Sequence, residues 1–348
     1  MEPEHLDAEG ARLGRGRSWL VLGVVLAVVV GLVVLRFTSQ EPDVSPRPAP
    51  RPMISASATS HTWPADLPPG LLLVGSAGRV YAVDSRDGRV TPTRVPAYSS
   101  ETSMTSLGTG VLVWGATKRS RSVVMSDGSV QPVSGALRTA AAFLPGPDGS
   151  VWAAEDPGSR RTTWRRVDAD GKASTRVSVD GDAASDGAGG LLSVTDAGFR
   201  SAFPTSSRAR QVGDVIATGP DGYVRRTCAR GECRFTLHRH AEEPDSVLST
   251  AVGEDTTGGT LSPANRRLAV TETVGDTSTL RVSVVGTGQI DEIFDQPRGS
   301  TRDAVWLDDR WLALISVDQL MLYDAEDDRV VVPAVPLSSL GPLAWRPA

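Results

Sequence analysis

Cys228 and Cys233, in the stretch CARGEC, are the two cysteines of this 348-residue chain, and His238 and His240 follow closely. Three chemistries suit such a set. A catalytic dithiol favours Cys-x-x-Cys at a helix start, where the dipole lowers a thiol pKa, and neither the spacing nor a helix is present. Tetrahedral zinc accepts two thiolates and two imidazoles, and strand alternation would put His238 and His240 on one face. Cys-x4-Cys-x4-His-x-His is not a common structural spacing, so Cys228, Cys233, His238 and His240 stand as the alternative, with no metal as the main expectation. That expectation is a disulfide joining Cys228 to Cys233 across a tight turn between YVRRT and RFTLH, in an oxidising compartment.

Carboxylates are the second chemical resource. Asp84, Asp87, Asp127, Asp148, Asp168, Asp170, Asp221, Asp327 and Asp328 all fall in turn sequences, where aspartate bonds nearby amides. A glycosidase needs two carboxyl groups facing each other about 5 to 10 Å apart, which spacing in sequence does not reveal. The run DAEDDR, Asp324 to Arg329, lacks the regular ligand spacing of a calcium loop. No G-x-S-x-G elbow occurs. With 36 basic and 41 acidic residues, no large single-sign field exists to attract nucleic acid. No cofactor is expected.

The elements that must position these residues are short β-rich runs separated by turn dipeptides. RVYAVDSRDGRV, SVVMSDGSV and WRRVDADGKAS each read as strand, turn, strand. Weaker members follow at GFRSAF, YVRRTCARGECRF, LRVSVVGTGQI and LMLYDAEDDRVVV. Their period is about 40 residues, the signature of a β-propeller blade. The expectation is an all-β, seven-bladed β-propeller over residues 67–348, with six or eight blades as alternatives. LSPANRRLAVTE, LPGPDGSVWAAE and LDDRWLALIS read as turns into an inner strand. The chain ends in LGPLAWRPA, a first strand with nothing after it, and GLLLVGSAGRVYAVD can complete that blade. Both termini would then close the ring and remove an exposed sheet edge. Trp114, Trp152, Trp164, Trp306, Trp311 and Trp345 either line a ligand-binding face or wedge between blades; Trp114, Trp152 and Trp306 fall within expected strands, which favours the structural role, and Trp311 is the hardest to place beside Asp308, Asp309 and Arg310.

LSPANRRLAVTE resembles the blade-opening pattern of TolB-like and WD40-like propellers, with Asn265 in place of the usual aspartate. The resemblance implies a propeller repeat and no particular activity. GLLLVGSAGRVYAVDSRDGRV also looks like a quinoprotein repeat, but VTPTRVP lacks the tryptophan that such repeats carry, and no cofactor is implied.

Before the repeats, WLVLGVVLAVVVGLVVL spans 17 uncharged residues, Trp19 to Leu35, long enough for a membrane helix and longer than a signal-peptide core. Arg12, Arg15 and Arg17 precede it and Arg36, Arg47 and Arg51 follow it; the tighter cluster before the span orients the tail inward. Residues 1–18 are therefore expected as a cytoplasmic tail, 19–36 as a transmembrane signal anchor and 37–66 as a linker. Proline at nearly every second position from Pro46 to Pro52 makes that linker an extended spacer. The whole resembles membrane-anchored propeller proteins of high-GC Gram-positive bacteria. The functional expectation is a noncatalytic extracytoplasmic platform for a protein, peptide or envelope glycan. The alternative is a carboxylate-dependent hydrolase or lyase acting on an envelope carbohydrate.

Overall fold

A computed structural model of the protein describes residues 61–95, 102–115, 121–157, 159–196, 198–204, 211–229, 232–239, 246–248, 255–274, 277–287, 290–297, 301–316, 319–338 and 340–348. All lie in the second of two units, Pro52–Ala348. The expected tail and anchor, and nearly all of the linker, fall outside these residues. Among the described residues no helix is long and apolar enough to cross a membrane.

The architecture is all-β and of propeller type. The first strands are β1 (Gly70–Ser76), β2 (Arg79–Asp84) and β3 (Val90–Pro92). Next come β4 (Ser103–Leu107), β5 (Gly110–Trp114), β6 (Arg121–Met125) and β7 (Val130–Pro132), with a short helix α1 (Gly135–Thr139) after them. Then follow β8 (Ala142–Pro145), β9 (Val151–Ala154), β10 (Arg161–Val167) and β11 (Ala173–Asp180). The three strands β12 (Asp182–Ser185), β13 (Leu191–Thr195) and β14 (Gly198–Phe203) make a smaller sheet. An eight-stranded sheet holds β15 (Asp214–Gly219), β16 (Gly222–Ala229), β17 (Glu232–Arg239), β18 (Ser246–Val247), β19 (Thr256–Leu261), β20 (Arg267–Val274), β21 (Thr277–Val284) and β22 (Ile290–Pro297). It is two antiparallel halves joined where β15 lies parallel to β19 through Ala217↔Gly259 and Thr218↔Thr260. The last sheet has β23 (Thr301–Trp306), β24 (Trp311–Ser316), β25 (Gln319–Asp324) and β26 (Arg329–Val331). The final strand β27 (Leu340–Pro347) returns to pair with β1, from Gly70↔Pro347 to Ser76↔Leu340.

Sequence explains these strand roles. Second strands such as GLLLVGS, GVLVW and WLALIS are apolar at successive positions instead of alternating, because both sheet faces are covered. The fourth strands β3, β7, β18 and β26 are short, and β3 and β7 end in Pro92 and Pro132, which suit an outer edge that donates no further ladder bond. Leu73 and Val80 pack with Val111 and Val113 of the next sheet. Leu112 packs with Phe143 and Val151. Leu312 and Leu314 meet Leu280 and Val282, and Trp311 and Ile315 meet Leu72 and Val74. The last sheet thus shares a core with the first.

Two expectations need correction. YVRRTCARGECRF forms the hairpin β16–β17, which joins the second and third strands of its unit. RVYAVDSRDGRV and LMLYDAEDDRVVV instead join third and fourth strands. Turn chemistry marks a hairpin without telling which one it is. LSPANRRLAVTE, LPGPDGSVWAAE and LDDRWLALIS lead from the innermost strand into the second, not into an innermost strand. The turn reading itself is apt: Asn265 has φ 55°, a left-handed conformation that asparagine tolerates, and its Nδ2 donates to the Asp221 carbonyl at 3.1 Å.

Candidate functional site

Cys228 lies directly opposite Cys233 in the β16–β17 register, with Cα atoms 4.0 Å apart and the sulfurs at disulfide distance. The same strand keeps His238 away from them. Five residues along β17 amount to roughly 17 Å and reverse the side-chain direction, and the His238 ring stands 4.8 Å from Tyr223. His240 lies outside the described residues. Among the described residues no group of three or more potential ligands gathers to hold a metal.

Most of the turn carboxylates are engaged where they stand. Asp84 accepts from the Arg86 amide at 3.0 Å, Asp87 from Arg89 at 2.9 Å, Asp127 from Ser129 at 2.8 Å and Asp168 from Lys172 at 2.8 Å. Asp148 takes a 3.0 Å bond from Arg166, and Asp328 accepts from the Tyr323 hydroxyl at 2.8 Å. Asp170 contributes its carbonyl to Ser134 at 2.7 Å, and Asp221 contributes its own to Asn265. Asp327 belongs to a larger cluster around Asp324.

Asp324, at the end of β25, has a side chain with 0% exposure. Arg310 grips it through Nε at 2.7 Å and Nη2 at 2.6 Å, and Arg329 adds Nε at 3.0 Å. Burial alone would raise the Asp324 pKa, but these bonds outweigh it and hold the carboxyl well below the usual carboxylate range. Bonding to Asp324 likewise raises the Arg310 pKa. Asp66 and Asp327 approach Arg310 at 2.9 and 3.0 Å. The two guanidiniums lie 5.4 Å from the Trp311 ring centroid, which explains how a fully buried tryptophan fits beside Asp308 and Asp309. Asp66 ties the segment entering β1 to this sheet, as do Leu67 in the shared core and the His61 bond of 3.0 Å to the Val332 carbonyl. The charged groups of the cluster pair with one another.

The other tryptophans also have structural surroundings. Trp114 meets Phe143 edge-on at 5.3 Å, and Trp152 meets Phe203 at 5.0 Å while donating to the Gly189 carbonyl at 2.8 Å. Trp306 donates to the Thr260 carbonyl at 3.2 Å, and Trp164 and Trp345 are buried.

Asp303 differs from every carboxylate above. It sits on β23, and its Oδ2 accepts the Leu343 amide of β27 at 2.8 Å. Burial pushes its pKa up, against the lowering effect of the Leu343 and Ala304 amides. It borders a cavity of about 170 Å³ whose walls include Gly258, Gly259 and Thr260 of β19, Thr271 of β20 and Leu280 of β21. A Cβ built on Gly258 would meet no atom within 4 Å. Among the described residues Asp303 is the single ionisable group lining the cavity, with no second carboxylate facing it there. Nothing in the sequence flagged Asp303; the only signal was the Gly258–Gly259 pair, since glycines inside a strand mark an open or closely approached backbone.

No family model matches this chain, and no curated protein matches it in sequence. Solved structures do resemble it distantly. TolB from Acinetobacter baumannii is 11% identical, with a TM-score of 0.42 over 80% of this chain and 67% of that one. The Pan2 WD40 domain from Neurospora crassa is 11% identical, with a TM-score of 0.47 over 75% and 86%. Apo AztD from Citrobacter koseri is 11% identical, with a TM-score of 0.42 over 80% and 99%. At such values no residue role passes from them to this chain.

Proposed function

We propose that this protein is a noncatalytic binding propeller, held outside the cytoplasm by a membrane anchor, that recognises a protein, peptide or envelope glycan. Its seven blades are the four sheets of four strands, the three-stranded sheet and the two halves of the eight-stranded sheet. The β27–β1 pairing closes the ring with strands from both ends of the domain, residues 67–348. Residues 1–18 form the cytoplasmic tail, 19–36 the single-pass signal anchor and 37–66 the linker. The Cys228–Cys233 disulfide staples one hairpin and suits an oxidising exterior.

The observation that carries the binding reading is the contrast in how carboxylates are used. Most of those in the turns are committed to amides, a hydroxyl or arginines of their own neighbourhood, whereas Asp303, held by amides alone, also borders the inter-sheet cavity. Such a cavity suits recognition by a few placed polar groups. The test is crosslinking in intact cells, followed by purification of the full-length chain and identification of what it retains. Specific retention of an envelope protein, peptide or glycan is expected. Turnover of an envelope polysaccharide by the purified chain would replace this reading with the hydrolase or lyase. A membrane-impermeant thiol reagent, applied to intact cells before and after reduction, tests the placement: labelling of Cys228 and Cys233 only after reduction is expected.

A further inference from the structure

The cavity beside Asp303 has a definite chemical bias. At about 170 Å³ it is smaller than the roughly 300–1,000 Å³ typical of sites for drug-sized ligands, so it admits one side-chain-sized group. Its interior is divided. Leu280 and Ala269 give an apolar wall, and Thr260, Thr271 and Asp303 give polar positions. A group with an aliphatic stem and a polar head matches that division.

Charge decides which head. Asp303 has two backbone amides as partners, and among the described residues no cation pairs with it. Cations on the neighbouring strands are already engaged. Arg267 of β20 donates to the Ala325 carbonyl. Arg281 pairs with Glu272 at 2.9 Å, and both point to the other side of their strands, since Arg281 lies opposite Val270 while the cavity residue Leu280 lies opposite Thr271. A partly buried carboxylate whose pKa burial raises gains most from a partner that brings its own positive charge.

We propose that this cavity is a subsite for a single cationic group, the ammonium or guanidinium end of a basic side chain or of a free amine, held on the Asp303 carboxylate. The proposal rests on the binding reading and gives that reading a ligand class.

The test is equilibrium dialysis of radiolabelled n-butylammonium and methylguanidinium against the full-length chain in detergent micelles, with micelles alone as the blank and 1-butanol as the neutral counterpart. Saturable binding of one cation per chain is expected, with 1-butanol not competing. Asp303→Asn should weaken it at least tenfold, and Gly258→Leu, which fills the cavity but keeps the carboxyl, should do the same. Gly258→Ser serves if the leucine variant fails to fold, as judged by its thermal transition. Equal affinity in wild type and Asp303→Asn, equal competition by 1-butanol, or no saturable uptake would each overturn the proposal. Tighter binding of Gly-Lys-Gly or Gly-Arg-Gly than of the free cations identifies a peptide side chain as the source; the reverse order identifies a free amine. The same variants are assayed for retention of the crosslinked envelope partner. A wild-type chain that keeps its partner but binds no cation loses this subsite and keeps the binding function, whereas one that retains no partner loses the function itself.

Discussion

Two aspartates of the last sheet, Asp324 on β25, fully buried, and Asp303 on β23, partly buried, keep different company. Asp324 is enclosed at the turn end of its strand with Arg310 and Arg329 on its oxygens, and its pKa falls. Asp303 lies on the innermost strand with only amide partners, and its pKa rises. Residue type and sheet are shared; the difference is whether a guanidinium arrives. Burial therefore does not by itself mark a carboxylate as functional. A buried carboxylate whose partners complete its charge is a joint of the fold, and one left without a counter-ion beside open space is a place for something else to bind.

Both environments depend on β27, which supplies the Leu343 amide to Asp303 and covers β1 beside the shared core. Deleting residues 337–348 should erase the comparison altogether, abolishing the cooperative thermal transition. Asp324→Asn tests one side alone. Breaking a buried pair costs about 3–5 kcal/mol, so the melting temperature should drop by roughly 6–10 °C. Because the folded-state pKa of Asp324 is depressed, its contribution is present above the ordinary carboxylate value and fades as pH falls below about 4; the gap between wild type and variant should close there in acid melts. A covalent pair gives an intermediate scale. Replacing Cys228 and Cys233 together by serine should cost about 2 kcal/mol by loop entropy, read from denaturant midpoints.

Asp303→Asn should behave in the opposite sense. The folded pKa of Asp303 is raised, so ionising it costs stability that begins to be lost as pH rises past the ordinary value of 3.8. The variant should therefore be more stable than wild type near pH 8, with the gap closing as pH falls to the ordinary carboxylate value. A variant less stable than wild type at pH 8 would break the contrast between the two aspartates. The smallest effect is expected at the exposed pair Arg89–Asp84, 3.9 Å apart: Arg89→Ala should change stability by less than about 0.5 kcal/mol.

The all-β class, the strand-turn-strand hairpins, the opposition of Cys228 to Cys233 and the pairing of the two ends were legible in the sequence. Each rests on local signals: D-G turns, β-branched runs, and an orphan strand at each end of the domain. Which hairpin within a unit CARGEC occupied was not legible, because second–third and third–fourth hairpins use the same turn residues. The Asp324 cluster was half visible. DAEDDR and LDDRW stood out as charged turns, but their meeting through Arg310 depends on strands that lie side by side only after folding. Asp303 was invisible, since its amide partner Leu343 is 40 residues away and the cavity wall comes from β19, β20 and β21.

The β27–β1 pairing also imposes an order in time. β1 is made early and its partner last, so Gly70 waits for Pro347 through nearly the whole synthesis of the domain. Until then Leu72 and Leu73, which end fully buried, lack the strand that covers their edge. Contacts this distant in sequence slow folding and lengthen exposure to misassembly. A chain that stops anywhere before β27 keeps the β1 edge as an open, apolar seam, which makes the unfinished copy the aggregation-prone one.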